Sequence, residues 1–265
     1  MRKDYKENPA LENMGKRGQV SLFVIIAIVI IGIVIFVSLS PKINILQTSE
    51  VNPSSFLSNC IQPEVEDTLT LLNKQGGYVA PDNYLTYQDE NIQYLCYTSE
   101  NYLPCVVQQP LLVSHIENEI KNAVTPKARE CVNNLAKLYE KRGFDVSTTP
   151  GDINVSITSG KIAVDFLSPM TVSKEDTQTF RKFAINLDSE LYDLYLTATS
   201  IIQFESTLGD SETSLYIQYY PDLKIEKLRR SPDTIYTLSN VVTGEEFTFA
   251  TRSLVWPQGY GLDSQ

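Results

Sequence analysis

Residues 15–40 read GKRGQVSLFVIIAIVIIGIVIFVSLS. A basic cluster, Lys16-Arg17-Gly18, runs directly into a wall of Ile and Val, and this junction decides whether the fold is a free body or a tethered one. From Gln19 to Pro41 no residue is charged, and Leu22 to Val37 is sixteen apolar residues without a break. At 1.5 Å per residue, a helix of about 21 residues spans roughly 32 Å, the thickness of a bilayer core. A cleavable secretory signal has a shorter apolar region followed by a small-x-small site. Here the run is long and β-branched and ends in SLSPK, with Ser38 and Ser40 framing Leu39 as a secondary cut site. The stretch reads as a retained transmembrane helix over residues 19–40. A helix apolar on every side would need a far larger core if it were buried in a water-soluble fold.

Charge gives the orientation. Residues 1–18 hold five basic side chains (Arg2, Lys3, Lys6, Lys16, Arg17) against three acidic ones (Asp4, Glu7, Glu12), a net of +2. Of the total of −10, the rest of the chain therefore carries −12. The positive-inside rule keeps the leader in the cytoplasm and sends the acidic body outside. An acidic body repels phosphate backbones, so nucleic acid is not an expected partner. With 42% hydrophobic and 20% charged residues, the composition is that of a folded protein. About 220 residues remain beyond the membrane stretch, enough for one large domain or two small ones.

Lys16-Arg17-Gly18-Gln19-Val20-Ser21, placed directly before the apolar run, resembles the class III signal peptide of archaeal type IV pilin-like proteins. The resemblance implies cleavage between Gly18 and Gln19 on the cytoplasmic side, with the apolar helix kept. Phe23 stands at the fifth position after that cut, where the family often has a Glu used in assembly, so the likeness implies processing more than filament formation. The arrangement is also similar to membrane-anchored archaeal proteins in which such a leader precedes a Cys-bearing helix and a QGGY segment, here Cys60 and Gln75-Gly76-Gly77-Tyr78. That similarity implies a location and no activity.

Beyond the apolar run, Pro41 to Pro53 reads as a stalk, because Pro41 cannot continue the helix. A pilin stalk more often continues as one long helix. Leu57, Ile61, Val65, Leu69 and Leu72 recur at helical spacing, with Pro63 as either a kink or the true first turn and Gly76-Gly77 as the stop. Residues 78–109 are Tyr-rich and extended. A helix pair follows, Leu112 to Val124 and Ala128 to Tyr139, broken or restarted at Thr125-Pro126 and capped at Gly143. DINVSIT, Ser159-Gly160 and KIAVDFLS form a hairpin. Ser173 to Asp176 fits a capping box. It opens a helix with Phe180, Phe183, Leu187, Leu191, Leu194, Ala198 and Ile201 on one stripe. Strands near 223–229, 233–242 and 245–254 close the chain, the last two joined at Thr243-Gly244. The order predicts an α+β fold with an antiparallel sheet.

The search for chemistry returns little. His115 is the sole histidine and lies beside Ile116 on a helix, without a nucleophile pattern; with Glu119 one turn away it makes only a weak metal site. GxSxG, phosphate-loop and GxGxxG patterns are absent. Glu245-Glu246 and Asp188/Glu190 lack the calcium-loop spacing and read as solvated faces. No catalytic, cofactor or metal residue is assigned. Asn154-Val155-Ser156 is a glycosylation sequon in a predicted strand. Tyr78, Tyr84, Tyr87, Tyr94, Tyr97 and Tyr102 read either as sheet residues or as a binding surface.

Four cysteines, spaced 36, 9 and 26 positions apart, contain no CxxC and lie on the proposed outer side, which favours oxidation over zinc or thiol chemistry. Three pairings are possible. Cys96 and Cys105 flank the turn-forming YTSENYLP, and closing that short loop costs the least chain entropy. Cys60 and Cys131 would then join the first outer helix to the helix pair.

The chain is thus expected to divide into a cytoplasmic leader (1–18), a transmembrane helix (19–40), a stalk (41–53) and an extracytoplasmic α+β domain (54–265). The expected role is that of a single-pass cell-surface protein acting as a structural or interaction module, its partners the membrane and other surface proteins or envelope components. A pilin-like subunit and an extracytoplasmic enzyme are the alternatives.

Overall fold

The computed structural model describes residues 25–32, 52–149 and 151–255. The chain divides into two units, Met1–Val51 and Asn52–Gln265. In the first, residues 25–32 form a helix, α1, whose Ile25, Ile26, Ile28, Val29, Ile30 and Ile31 are all exposed. Most of the expected transmembrane helix, and the Gly18-Gln19 junction, lie outside the described residues. Among the described residues no helix is long and apolar enough to cross a membrane.

The second unit starts with a cap. The Asn52 side chain accepts hydrogen bonds from the Ser54 and Ser55 amides at 3.0 and 3.2 Å, and Pro53 takes the first helical position, where its missing N–H costs nothing. Helix α2 (Pro53–Lys74) runs through Pro63 and buries Leu57, Ile61, Val65, Leu69 and Leu72. Its stop is the Gly76-Gly77 pair, both at positive φ, with the Gly77 amide bonded back to the Leu72 carbonyl at 2.7 Å. A Cβ at Gly77 would lie 3.0 Å from Ile116, and one at Gly76 would lie 3.0 Å from Gln93. The two glycines therefore let the turn fold tightly onto the next helix and strand.

The Tyr-rich region forms β1 (Tyr84–Tyr87), β2 (Glu90–Tyr97) and the short β3 (Val106–Val107). Helix α3 (Leu112–Lys141) is one continuous helix of 30 residues, not the expected pair. Pro126 sits inside it, and the buried stripe Leu112, Ile116, Ile120, Val124 continues in phase through Ala128, Cys131, Val132 and Leu135. An interior proline costs about 3 kcal/mol. Burial of large apolar side chains at roughly 1.5–3 kcal/mol each outweighs that, so packing keeps the helix intact.

Six short strands follow or precede turns: β4 (Asp145–Thr148), β5 (Ile153–Thr158), β6 (Lys161–Phe166), β7 (Met170–Ser173), β8 (Thr177–Phe180) and β9 (Phe183–Asp188). The β5–β6 hairpin turns at Ser159-Gly160 as its sequence predicts. The helix expected from Ser173 does not start there. Phe183 and Ile185 alternate with exposed residues at period two, and β9 pairs with β6 from Phe166↔Phe183 to Lys161↔Asp188. The apparent helical stripe through Phe180, Phe183 and Leu187 is a coincidence of spacing. Only its second half is helical, as α4 (Leu191–Leu208), followed by the short α5 (Ser214–Tyr219).

The chain ends in β10 (Leu223–Arg230), β11 (Asp233–Asn240) and β12 (Glu246–Arg252). The resulting main sheet runs β1-β2-β12-β11-β10, with β3 also on β2; two three-stranded sheets, β4-β7-β8 and β5-β6-β9, complete the fold. The fold is α+β. Its main sheet is mixed, because β12 pairs with β2 in parallel, with a register shift between Ala250 and Thr251. Both of these strands are nearly continuously buried, as central strands are. Helices α2 and α4 pack on β12, and α3 packs on α2 and β5. Cys60 is bonded to Cys131, tying α2 to α3, and Cys96 to Cys105, tying β2 to the residue just before β3, nine positions on.

Candidate interaction groove

Helix α4 presents two faces. Inward, Leu191, Leu194, Tyr195, Ala198, Ile201 and Ile202 are buried. Outward, Leu196, Ser200, Phe204 and Leu208 repeat every four residues, which places them along one stripe. Phe204 and Leu208 remain 47% and 65% exposed. Helix α5 lies beside this stripe and buries none of its residues; Leu215, Ile217 and Tyr219 are 56%, 41% and 77% exposed. A helix of six residues has no stability of its own in water. Among the described residues it is held by a side-chain bridge, Tyr216 to Ser200 at 2.7 Å, by the Glu212 carboxylate, which accepts from the Ser214 amide at 2.9 Å, and by packing near residues 223–230.

The Ser200–Tyr216 bridge divides the groove into two hollows. One, of about 580 Å³, lies against the N-terminal half of α4 and reaches Asp222 and Val242; the other, of about 770 Å³, lies between Phe204, Leu208, Leu215 and Tyr219. Glu190, Asp193 and Asp222 line the first, Asp210 and Glu212 the second, and no Lys, Arg or His among the described residues lines either. Among the described residues, no side chain is hydrogen-bonded or ion-paired to the carboxylates of Glu190, Asp193 or Asp222. Asp210 differs: Lys227 and Arg229 both pair with it. Lys227 also donates to the Ser211 carbonyl at 2.8 Å and lies 5.3 Å above the Tyr236 ring.

The α4 N-terminus is fixed from across the fold. Glu245, in the β11–β12 turn, accepts from the Ser189 hydroxyl at 2.7 Å and the Glu190 amide at 2.8 Å, and Ser189 accepts from the Leu191 amide at 3.2 Å. This carboxylate, read from the sequence as a solvated face, positions the helix that floors the groove. No group of three or more His, Cys, Asp or Glu among the described residues is arranged to hold a metal ion.

The other singled-out residues lie elsewhere. His115 packs against Tyr78 with ring centroids 4.1 Å apart and planes tilted by 41°, and its Nε2 is buried without a hydrogen-bond partner among the described residues. Burial lowers its pKa, against raising contributions from Glu119 and the Gly77 backbone. Glu119 accepts from the Val79 amide at 2.9 Å, so both side chains pin the turn after α2. Asn154 is exposed on β5, opposite Asp165 of β6. The early tyrosines do not form one surface: Tyr94 is buried and donates to Asp233 at 2.9 Å, whereas Tyr102 is exposed. The aromatic surface is built instead by Tyr216, Tyr219 and Tyr220, which the sequence reading passed over. Their signal was available in SLYIQYY, a helix-length run with apolar residues on every side. No protein-family model, curated protein or solved structure matches the chain.

Proposed function

We propose that the chain is a single-pass, membrane-anchored cell-surface protein whose extracytoplasmic α+β domain is an interaction module, binding other surface or envelope proteins through the α4–α5 groove. The observation that carries the reading is α5, an apolar and aromatic helix with no buried residue. A contiguous apolar face of this kind is covered when the protein works. Three further facts support the setting. The uncharged run from Gln19 to Pro41 is long enough to span a bilayer. The described part of that run, α1, exposes isoleucine and valine that water does not favour. Two disulfides suit an oxidising exterior.

The test is crosslinking on intact cells, with a photoreactive side chain at Leu215 and, as control, at exposed Asn154. The reading expects a discrete adduct with an envelope or surface protein from Leu215 and none from Asn154. Equal labelling at both positions, or a chain that partitions into the aqueous phase without detergent, would refute it.

A further inference from the structure

Resting on that reading, we infer that the groove takes a cationic amphipathic helix of a partner surface protein, with two bulky apolar side chains seven residues apart. The geometry sets the spacing. The hollows lie against residues 193–200 and 200–208 of α4, so their centres are separated by seven to eight residues of that helix, about 11 Å. A partner helix laid along α4 meets both hollows with residues i and i+7, which share one face two turns apart. Each hollow is large enough for one or two such side chains. Docking of an apolar helix face into an apolar groove is a common mode of peptide recognition.

Charge selects the flanks. Glu190, Asp193 and Asp222 edge the first hollow without a cation partner among the described residues, whereas the acids of the second, Asp210 and Glu212, already have Lys227 and Arg229 beside them. Lys or Arg beside the apolar anchors would supply the missing partners, and an acidic segment would be repelled. The same carboxylates count against a bilayer rich in anionic lipid as the occupant, although the tyrosines alone would suit a membrane interface.

The experiment uses the full chain in phosphatidylcholine nanodiscs, with empty nanodiscs as blank. The probes are a fluorescent 18-residue amphipathic peptide of Leu and Lys, with Leu at i, i+3, i+4 and i+7, and its Leu and Glu counterpart. The Lys peptide is expected to bind at least tenfold more tightly than the Glu peptide. Asp193→Asn with Asp222→Asn should weaken it about tenfold, and Leu215→Ser with Tyr219→Ser should weaken it similarly. Glu175→Gln with Asp176→Asn, which removes two exposed charges from the β7–β8 turn, should change it less than twofold. All the substituted side chains are solvent-accessible, and circular dichroism with disulfide mapping checks each fold. Equal binding of the two peptides, or equal weakening by the β7–β8 control, would overturn the inference. So would spin-labelled phosphatidylcholine broadening the Leu215 and Ile217 amide signals without peptide, which assigns the face to the bilayer. A chain that stays anchored and crosslinks at Leu215 but ignores the Lys peptide fails this inference alone.

Discussion

The Tyr236 hydroxyl donates a hydrogen bond to the carboxylate of Glu205, and both side chains are buried, Glu205 on the inner face of α4 and Tyr236 in the central strand β11. Glu205 follows the groove residue Phe204 on α4, and Lys227, which lies over the Tyr236 ring, pairs with Asp210 at the groove's edge. Burial raises the Glu205 pKa, against lowering by the Tyr236 hydrogen bond and by Lys227.

That shift predicts a pH dependence of stability. A carboxyl whose pKa is higher folded than unfolded binds more protons in the native state, so its contribution improves as pH falls through the folded value and levels off below the unfolded one. Glu205→Gln keeps an acceptor for Tyr236 without the charge. Urea midpoints of wild type and this variant should converge below about pH 4, with the variant gaining relative to wild type toward pH 8. Glu205→Ala leaves the hydroxyl unpaired and should cost about 1–3 kcal/mol below about pH 4, the cost shrinking toward pH 8 because the variant also lacks the unfavourable buried charge.

The Glu245 contact is a second test, because it ties the β11–β12 turn to the start of α4. Glu245→Ala removes the acceptor for the Glu190 amide and the Ser189 hydroxyl. A loss of about 0.5–2 kcal/mol is expected, as for other helix N-terminal caps. Glu245→Gln should recover most of it. Hydrogen exchange would locate the effect: faster exchange in the first turn of α4, with β10 unchanged.

What the sequence made legible is local. The α2 stripe, the β5–β6 hairpin and the β10–β12 strands announce themselves by period and turn residues. Two errors share one cause, that spacing alone does not choose between states. Phe180, Phe183 and Leu187 satisfy a helical period, yet Phe183 and Ile185 satisfy period two as well, and pairing with β6 decides for strand. Pro126 looked like a break because its cost is local, whereas the burial that overrides it comes from α2 and β5. The parallel β2–β12 pairing has no local signal at all, since it joins residues far apart in sequence. The groove was hidden for the same reason. Its acids and its tyrosines belong to separate segments that meet only once α4, α5 and the strand turns are in place.

Pro126 itself is testable. Pro126→Ala restores a backbone donor toward the Asn122 carbonyl and relieves the ring clash, for about 3 kcal/mol in the folded helix. The variant also gains freedom when unfolded, which takes back about 0.4–1 kcal/mol. The net expectation is a more stable protein by roughly 2–2.6 kcal/mol, read as a higher urea midpoint with the slope unchanged. A less stable variant would mean that the proline relieves strain in α3.

The disulfides should differ in worth. In the chain-entropy model, the Cys60–Cys131 link, 71 residues apart, stabilises by about 4 kcal/mol, and the Cys96–Cys105 link, nine apart, by about 2.5 kcal/mol. Paired Cys→Ala variants, measured without reductant, should rank in that order. The reverse ranking would show that burial of Cys96 against the sheet matters more than loop length.

The proposed anchor gives the last prediction. If the junction of Gly18 and Gln19 is a processing site, the mature chain isolated from membranes begins at Gln19, and Gly18→Val blocks the cut without releasing the protein. If the apolar run spans the bilayer, detergent is expected to be necessary for extraction in both cases, because the run lies after the cut. Protease added to intact cells should remove residues beyond about 45 and spare the membrane stretch, as an N-terminus held inside by its basic residues requires. An N-terminus near position 41 would mean that the helix is a signal removed on export. The α4–α5 groove would then act in a secreted protein rather than a tethered one.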